Sequence, residues 1–134
     1  MKKIFFSLAL LSFLAFSCTK TPDSLPISGL WKVQSLDGVN VSKFNATFIV
    51  NAADKKFSGT SGCNQFSAVA IAIDTVKTTL SLDAIITTKI GCPTELGKFE
   101  LDYYNALRVL DTYKLTDKTL IISEKGKERL VLVK

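Results

Sequence analysis

The 134-residue chain contains no histidine. That absence removes the Ser-His-Asp arrangement and every histidine-ligated metal site. Also missing is a phosphate-cradling glycine loop: Gly59 and Gly62 stand in a strand context without the Lys-Ser/Thr ending. There is no dense basic run. Lys2 and Lys3 supply two of the formal +5 charges, which leaves about +3 from Cys18 onward, and the other lysines are scattered through turns and strand edges. Nucleic-acid binding wants a basic stripe interleaved with stacking aromatics. Solvated surface lysine is the better account, and no nucleic-acid partner is expected. Asp83, Glu100 and Asp102 are available carboxylates, but no spacing pairs two of them across a cleft, so they read as a solvated face. No apolar run reaches the ~20 residues that a spanning helix needs. The length suits one ordinary domain and is too short for two.

What is present begins with a short positive start, Met1-Lys2-Lys3. An apolar stretch from Ile4 to Phe16 follows, broken only by Ser7 and Ser12, then Ser17-Cys18 and the polar Thr19-Lys20-Thr21-Pro22-Asp23-Ser24. A charged start, an apolar run and a small residue before the cut are the layout of a secretory signal, here residues 1–17. A membrane anchor or a buried N-terminal helix is the competing reading. Leu14-Ala15-Phe16-Ser17-Cys18 resembles a bacterial lipobox, in which the cysteine becomes the acylated first residue. Ser17 fits that pattern, while the leucine stands one place early, with Ala15 three before the cysteine. Acyl chains contribute roughly 0.8 kcal/mol per buried CH₂, and more than one chain makes attachment stable. Lipidation at Cys18 is expected, with ordinary cleavage near Ser17 and a free thiol as the alternative. Residues 18–28 read as a tether that Pro22 and Pro26 keep irregular.

Three cysteines are an odd number, which in an exported chain calls for an explanation. If Cys18 carries lipid, Cys63 and Cys92 remain as a pair, and an oxidising envelope permits their disulfide. Closing a loop of ~30 residues would contribute roughly 3–4 kcal/mol. A metal pair or a redox pair stays open as an alternative. Both are weaker, because the spacing is long and no histidine completes a zinc site. No cofactor is implied.

The domain is expected over residues 29–134. From Trp31 to Gln34 apolar and polar residues alternate as in a half-buried strand, with Trp31 as a core anchor, and Asp37-Gly38 marks a turn. Phe44, Ala46, Phe48 and Val50 share one face of a second strand. Phe57 to Ser61 forms a third, where Gly59 and Gly62 point to a bulge or a close backbone approach. Asn64 is expected to brace the turn after Cys63. Ser67 to Ile73 reads as a strand buried on both sides, and Lys77 to Asp83 alternates again. Pro93 opens a helix near residues 94–110, whose Leu96, Phe99, Tyr103, Leu107 and Leu110 make an apolar face. Lys98, Glu100, Asp102 and Arg108 fall mainly on the other face. Gly97 weakens the helix start by about 1 kcal/mol relative to Ala and is expected to allow close packing near the cysteines. Three strands with turns at Asp117-Lys118 and Glu124 to Lys127 close the chain. This pattern predicts an α+β domain, mostly antiparallel, built as a curved sheet or partly closed barrel with one helix.

Trp31 with Asp37-Gly38, then Ser61-Gly62-Cys63-Asn64-Gln65-Phe66, then Thr88-Lys89-Ile90-Gly91-Cys92-Pro93, a helix and terminal hairpin strands are similar to the META domain. That family includes the HslJ-like bacterial heat-shock lipoproteins. The motif positions are Gly62, Cys63, Asn64, Thr88 and Cys92. Ile90-Gly91 departs from the Met-Ala type of pair usual before the second cysteine, and Ala68 to Ile73 lacks the family's glycines. The resemblance implies a small, mostly β domain, lipid-anchored in the bacterial cell envelope, with members linked to stress tolerance and antibiotic resistance. Thr19 after Cys18 resembles outer-membrane sorting. The family brings no catalytic residues, so a non-enzymatic binding or stress-protective role is expected, with an envelope protein or a small molecule as partner. A structural component of an envelope complex, or a thiol-redox or hydrolytic protein, is the alternative.

Overall fold

Trp31, Val33 and Leu36 point inward from β1 (Gly29–Leu36), and the exposed residues between them carry the alternation seen in the sequence. In the computed structural model, which describes residues 26–51 and 53–134, this strand is followed by nine more and one helix. They are β2 (Val39–Asn40), β3 (Thr47–Asn51), β4 (Lys56–Thr60), β5 (Gln65–Asp74), β6 (Thr79–Leu82) and β7 (Ile86–Thr87), then α1 (Thr94–Arg108), β8 (Thr112–Leu115), β9 (Thr119–Glu124) and β10 (Lys127–Val133). The signal segment, Cys18 and most of the tether lie outside the described residues. Among the described residues no helix is long and apolar enough to cross a membrane.

All pairings are antiparallel, in the order β10-β9-β8-β6-β5-β4-β3-β1, and β1 pairs with β10 to close the ring. The fold is therefore α+β with a closed eight-stranded barrel. Closure leaves fewer unpaired backbone edges than a curved sheet would. Register shifts at Val33/Ser35, Glu128/Leu130 and Ala70/Ala72 supply local bends. The weakest joint is between β6 and β8, which share a single register pair, Thr79 with Thr112. Two tight hairpins have both central residues at positive φ, Asp37-Gly38 and Lys125-Gly126, the geometry that matches strand twist. Arg129 ties them together by pairing with Asp37 at 2.6 Å and with Glu124.

Trp31, Phe48, Phe57, Leu80, Ile122 and Leu132 fill the interior. The indole nitrogen of Trp31 donates to the Ile27 carbonyl at 2.7 Å, which satisfies a buried donor. Ile27 is itself fully buried, so the folded body starts ahead of the boundary expected at Gly29, inside the segment read as tether. The strand expected from Phe44 starts at Thr47, because Ser42–Phe44 forms a 3₁₀ turn that ends at Asn45 in the left-handed region. Its inward face is as expected: Ala46, Phe48 and Val50 are buried.

The strand read as buried on both sides is buried on one. In β5, Phe66 and Ala68 point inward while Val69 and Ile71 are exposed on the outside. A closed barrel has one interior, so an unbroken apolar run here means an apolar outer surface.

The helix ends at Arg108, two residues short of the expectation, although Leu110 remains buried beyond it. It packs at the barrel end formed by the start of β3 and the β4–β5 turn. Tyr103 donates its hydroxyl to the Thr47 carbonyl at 3.1 Å. Phe44 stacks on Phe99 at 4.5 Å and Phe99 on Tyr103 at 5.7 Å, while Phe66 meets Tyr103 and Tyr104 edge-on. Each such pair contributes about 0.5–1.5 kcal/mol beyond area burial. The aromatic stripe of the helix is core packing.

Candidate functional site

Three segments that the motif separates in sequence meet at one place: the turn Ser61–Asn64 between β4 and β5, the stretch Thr88–Pro93, and the first half of α1. Cys63 and Cys92, 29 positions apart in sequence, form a disulfide with Cα atoms 6.1 Å apart. Pro93 immediately precedes the first helical residue, so the cystine joins the turn to the start of α1.

Asn64 is the hub. Its side-chain nitrogen donates to the Ile90 carbonyl at 3.0 Å and to Glu100 Oε1 at 2.9 Å, and lies 3.3 Å from Cys92 Sγ. Its side-chain oxygen accepts from the Thr88 hydroxyl at 2.9 Å and from the Ile90 amide at 2.7 Å. The Asn64 carbonyl accepts from the Tyr104 hydroxyl at 3.0 Å and the Ser61 amide at 2.9 Å. Asn64 was expected to brace its own turn; in the structure it also fastens the second cysteine segment and the helix.

Glu100 stands on the helix side facing this turn, not on a solvated face. Its Oε2 accepts from the Ser61 hydroxyl and from the Asn64 amide at 3.1 Å. The helical pattern placed it wrongly because a period of 3.6 sorts residues by polarity and cannot show a polar loop docking on the helix. Ser61 and Tyr104, both buried, were missed as well. The signal available was the four-residue step from Glu100 to Tyr104, which puts both on one stripe. Burial raises the Tyr104 hydroxyl above its usual range, the Ser61 bond pulls it back, and the Glu100 charge adds to the rise.

Two chemical readings can be weighed directly. Ser61 beside Glu100 pairs a hydroxyl with a carboxylate, but Ser61 is fully buried and faces no solvent. Cys63, Cys92 and Glu100 place ligand atoms within 4.8 Å of one another. In the disulfide neither sulfur is a thiolate, so the trio offers a cation only one strong ligand. Asp83 is elsewhere, on the outer face with Ile49 and Ile86, and Asp102 lines a different surface with Asn105. The structure does not bring the three carboxylates together. A cavity of about 460 Å³ opens beside the knot, bordered by Thr88, Lys89, Glu100, Tyr104 and Arg108.

The sequence profile of the META domain matches residues 24–134. The chain belongs to the META domain family. Its fold resembles a protein from Burkholderia xenovorans solved by NMR, 19% identical, covering 99% of this chain and 97% of that one at a TM-score of 0.61. A second NMR structure is 18% identical over 78% of this chain and 87% of that one, with a TM-score of 0.60. A DUF4847 family protein from Bacteroides vulgatus is 15% identical over 78% of this chain and 90% of that one, at 0.55. At these identities the likeness shows a shared fold. No curated protein sequence matches the chain.

The glycines of this META domain now have a physical account. A Cβ on Gly62 would lie 2.0 Å from the Phe44 carbonyl oxygen, at a φ of +94° that side chains rarely adopt. A Cβ on Gly59 would lie 2.0 Å from the Thr47 carbonyl oxygen. Of the two expectations, close approach holds; Gly59 sits in regular register between Phe48 and Phe66 with no bulge. Gly97 lies against Cys92, where a Cβ would make an ordinary contact at 3.8 Å, so the room it leaves is a convenience and not a requirement.

Proposed function

We propose that this META domain belongs to an exported lipoprotein, acylated at Cys18 and held at the bacterial envelope in the outer membrane, and that it acts by binding and not by catalysis. The observation that carries the reading is the Cys63–Cys92 cystine. Disulfides persist in oxidising compartments outside the cytosol. The bond uses two of three cysteines and leaves Cys18, in its lipobox-like setting, as the remaining one.

The non-enzymatic part of the reading is supported by what the polar groups do. Asn64, Glu100, Ser61 and Thr88 are engaged with one another and with backbone, as a structural fastening requires. The adjoining cavity presents Lys89 and Arg108 beside Glu100, a setting for a small polar ligand or a partner's loop. A stress-protective role follows if that ligand forms under stress.

Intact mass of the protein from a membrane fraction, before and after reduction and alkylation, tests this. The expected result is a diacyl or triacyl addition on a chain starting at Cys18, with Cys63 and Cys92 alkylated only after reduction. An unlipidated chain with freely alkylating thiols overturns it and favours the redox alternative.

A further inference from the structure

The outer face of the barrel carries an apolar strip that the packing of the domain does not use. Leu30 pairs with Ile49, Ile49 with Ser58, Ser58 with Ser67, and Ser67 with Ile86. Directly opposed residues of antiparallel strands share a face, so these five form one row across β1, β3, β4, β5 and β7. Val69 and Ile71 extend it along β5. Val69 is 50% exposed and Ile86 71%. The small Ser58 and Ser67 make a floor, and Ile49, Val69 and Ile86 stand as walls around a groove of about 650 Å³. Isolated exposed apolar residues are ordinary on a protein surface, but a contiguous group marks an interaction site.

Where the chain enters the fold says what covers this face. Gly29 and Leu30 pair with Val50 and Ile49, so β1 begins beside the groove, and the described chain ahead of it runs through the buried Ile27 to Pro26. Cys18 precedes Pro26 by eight residues. Eight residues reach at most about 29 Å even fully extended, little more than twice the ~13 Å radius of gyration of a domain this size. A tether so short keeps this end of β1, and the groove beside it, near the anchor. Lys56 and Asp83 flank Val69 on opposite sides, so the charges bordering the groove are of both signs. An apolar face with a mixed border does not select for anionic partners.

We propose that this face rests on the lipid bilayer to which the chain is anchored, with Val69, Ile71 and Ile86 entering the headgroup–acyl boundary. The proposal rests on the lipid-anchored reading above. It gives the domain a fixed attitude: groove toward the lipid, and Val39, which pairs with Leu36 at the opposite end of β1 from Leu30, away from it.

The mature lipoprotein carries one tryptophan, Trp31, fully buried, which provides a constant background. Val69→Trp, Ile86→Trp and, as control, Val39→Trp are each reconstituted into phosphatidylcholine vesicles with plain or brominated acyl chains. Flotation is scored first, and fluorescence second. The expected result is flotation of all three, with loss of the added emission in brominated lipid at 69 and 86 and none at 39. Protein that floats with unquenched emission at 69 and 86 overturns the docking and leaves the anchor standing. Protein that does not float overturns both. Emission unquenched by bromolipid yet shielded from aqueous iodide means a second copy or another protein covers the face, and also overturns the proposal.

Discussion

At the scale of single residues, Asn64 concentrates more of the structure than any other polar side chain in the motif. Its amide links the Thr88–Ile90 segment, the helix and the cystine, and both ends of the amide are used. Asn64→Ala would leave the Ile90 amide and the Thr88 hydroxyl without this acceptor, at a cost of about 2–4 kcal/mol. Asn64→Asp keeps the acceptor but removes both donors and sets a second carboxylate at hydrogen-bond distance from Glu100. Like charges at that range repel, so the aspartate is expected to cost more than the alanine in urea unfolding with the disulfide intact. A milder aspartate would mean that Glu100 does not depend on the Asn64 donor. The turn-bracing part of this role was legible in the sequence, since Asn after a cysteine in a glycine turn has local work to do. Its long-range part was not, because Ile90 and Glu100 are 26 and 36 residues away.

At the scale of elements, the cystine joins a β-turn to a helix start, and the helix in turn seals a barrel end. Replacing both cysteines, Cys63→Ser with Cys92→Ser, is expected to lower stability by about 3–4 kcal/mol in the loop-entropy account. Amide exchange should show the Thr88 and Ile90 amides, which bond to Gln65 and Asn64, opening before the barrel strands. Uniform loss of protection would mean that the joint and the barrel form one cooperative unit. Strands with visible alternation, such as Trp31 to Gln34, could be read directly, as could the helix, whose Phe99, Tyr103 and Leu107 step by four. The stretch Ser67–Ile73 misled because Val69 and Ile71 are apolar on the outer face. Alternation fails as a signal wherever a surface is itself apolar, and here that failure marks the face proposed to meet lipid.

At the scale of the molecule, the acid–base behaviour of the core follows from its tyrosines. Burial, and next the neighbouring Tyr104, hold Tyr103 well above the ordinary phenol value of 10.0. Burial raises Tyr113 as well, with Asp74 adding to it. A raised folded value means that the contribution is fully present below the unfolded value and is lost as pH rises toward the folded one. The melting temperature is therefore expected to hold through neutral pH and to fall above about pH 10, where the unfolded chain ionises first. Tyr103→Phe should flatten that fall, at a loss of about 1 kcal/mol near neutrality from the bond to Thr47. An unchanged alkaline slope in the variant would assign the effect to the other tyrosines.

The pairing of β1 with β10 has a consequence in time. The register joins Lys32 to Val133, so the strand at the front of the domain waits for residues at the far end of the sequence. A chain emerging from a ribosome or a translocation pore with its N-terminus first cannot close the ring until its final strand is out. Until then the sheet stays open along that edge of β1.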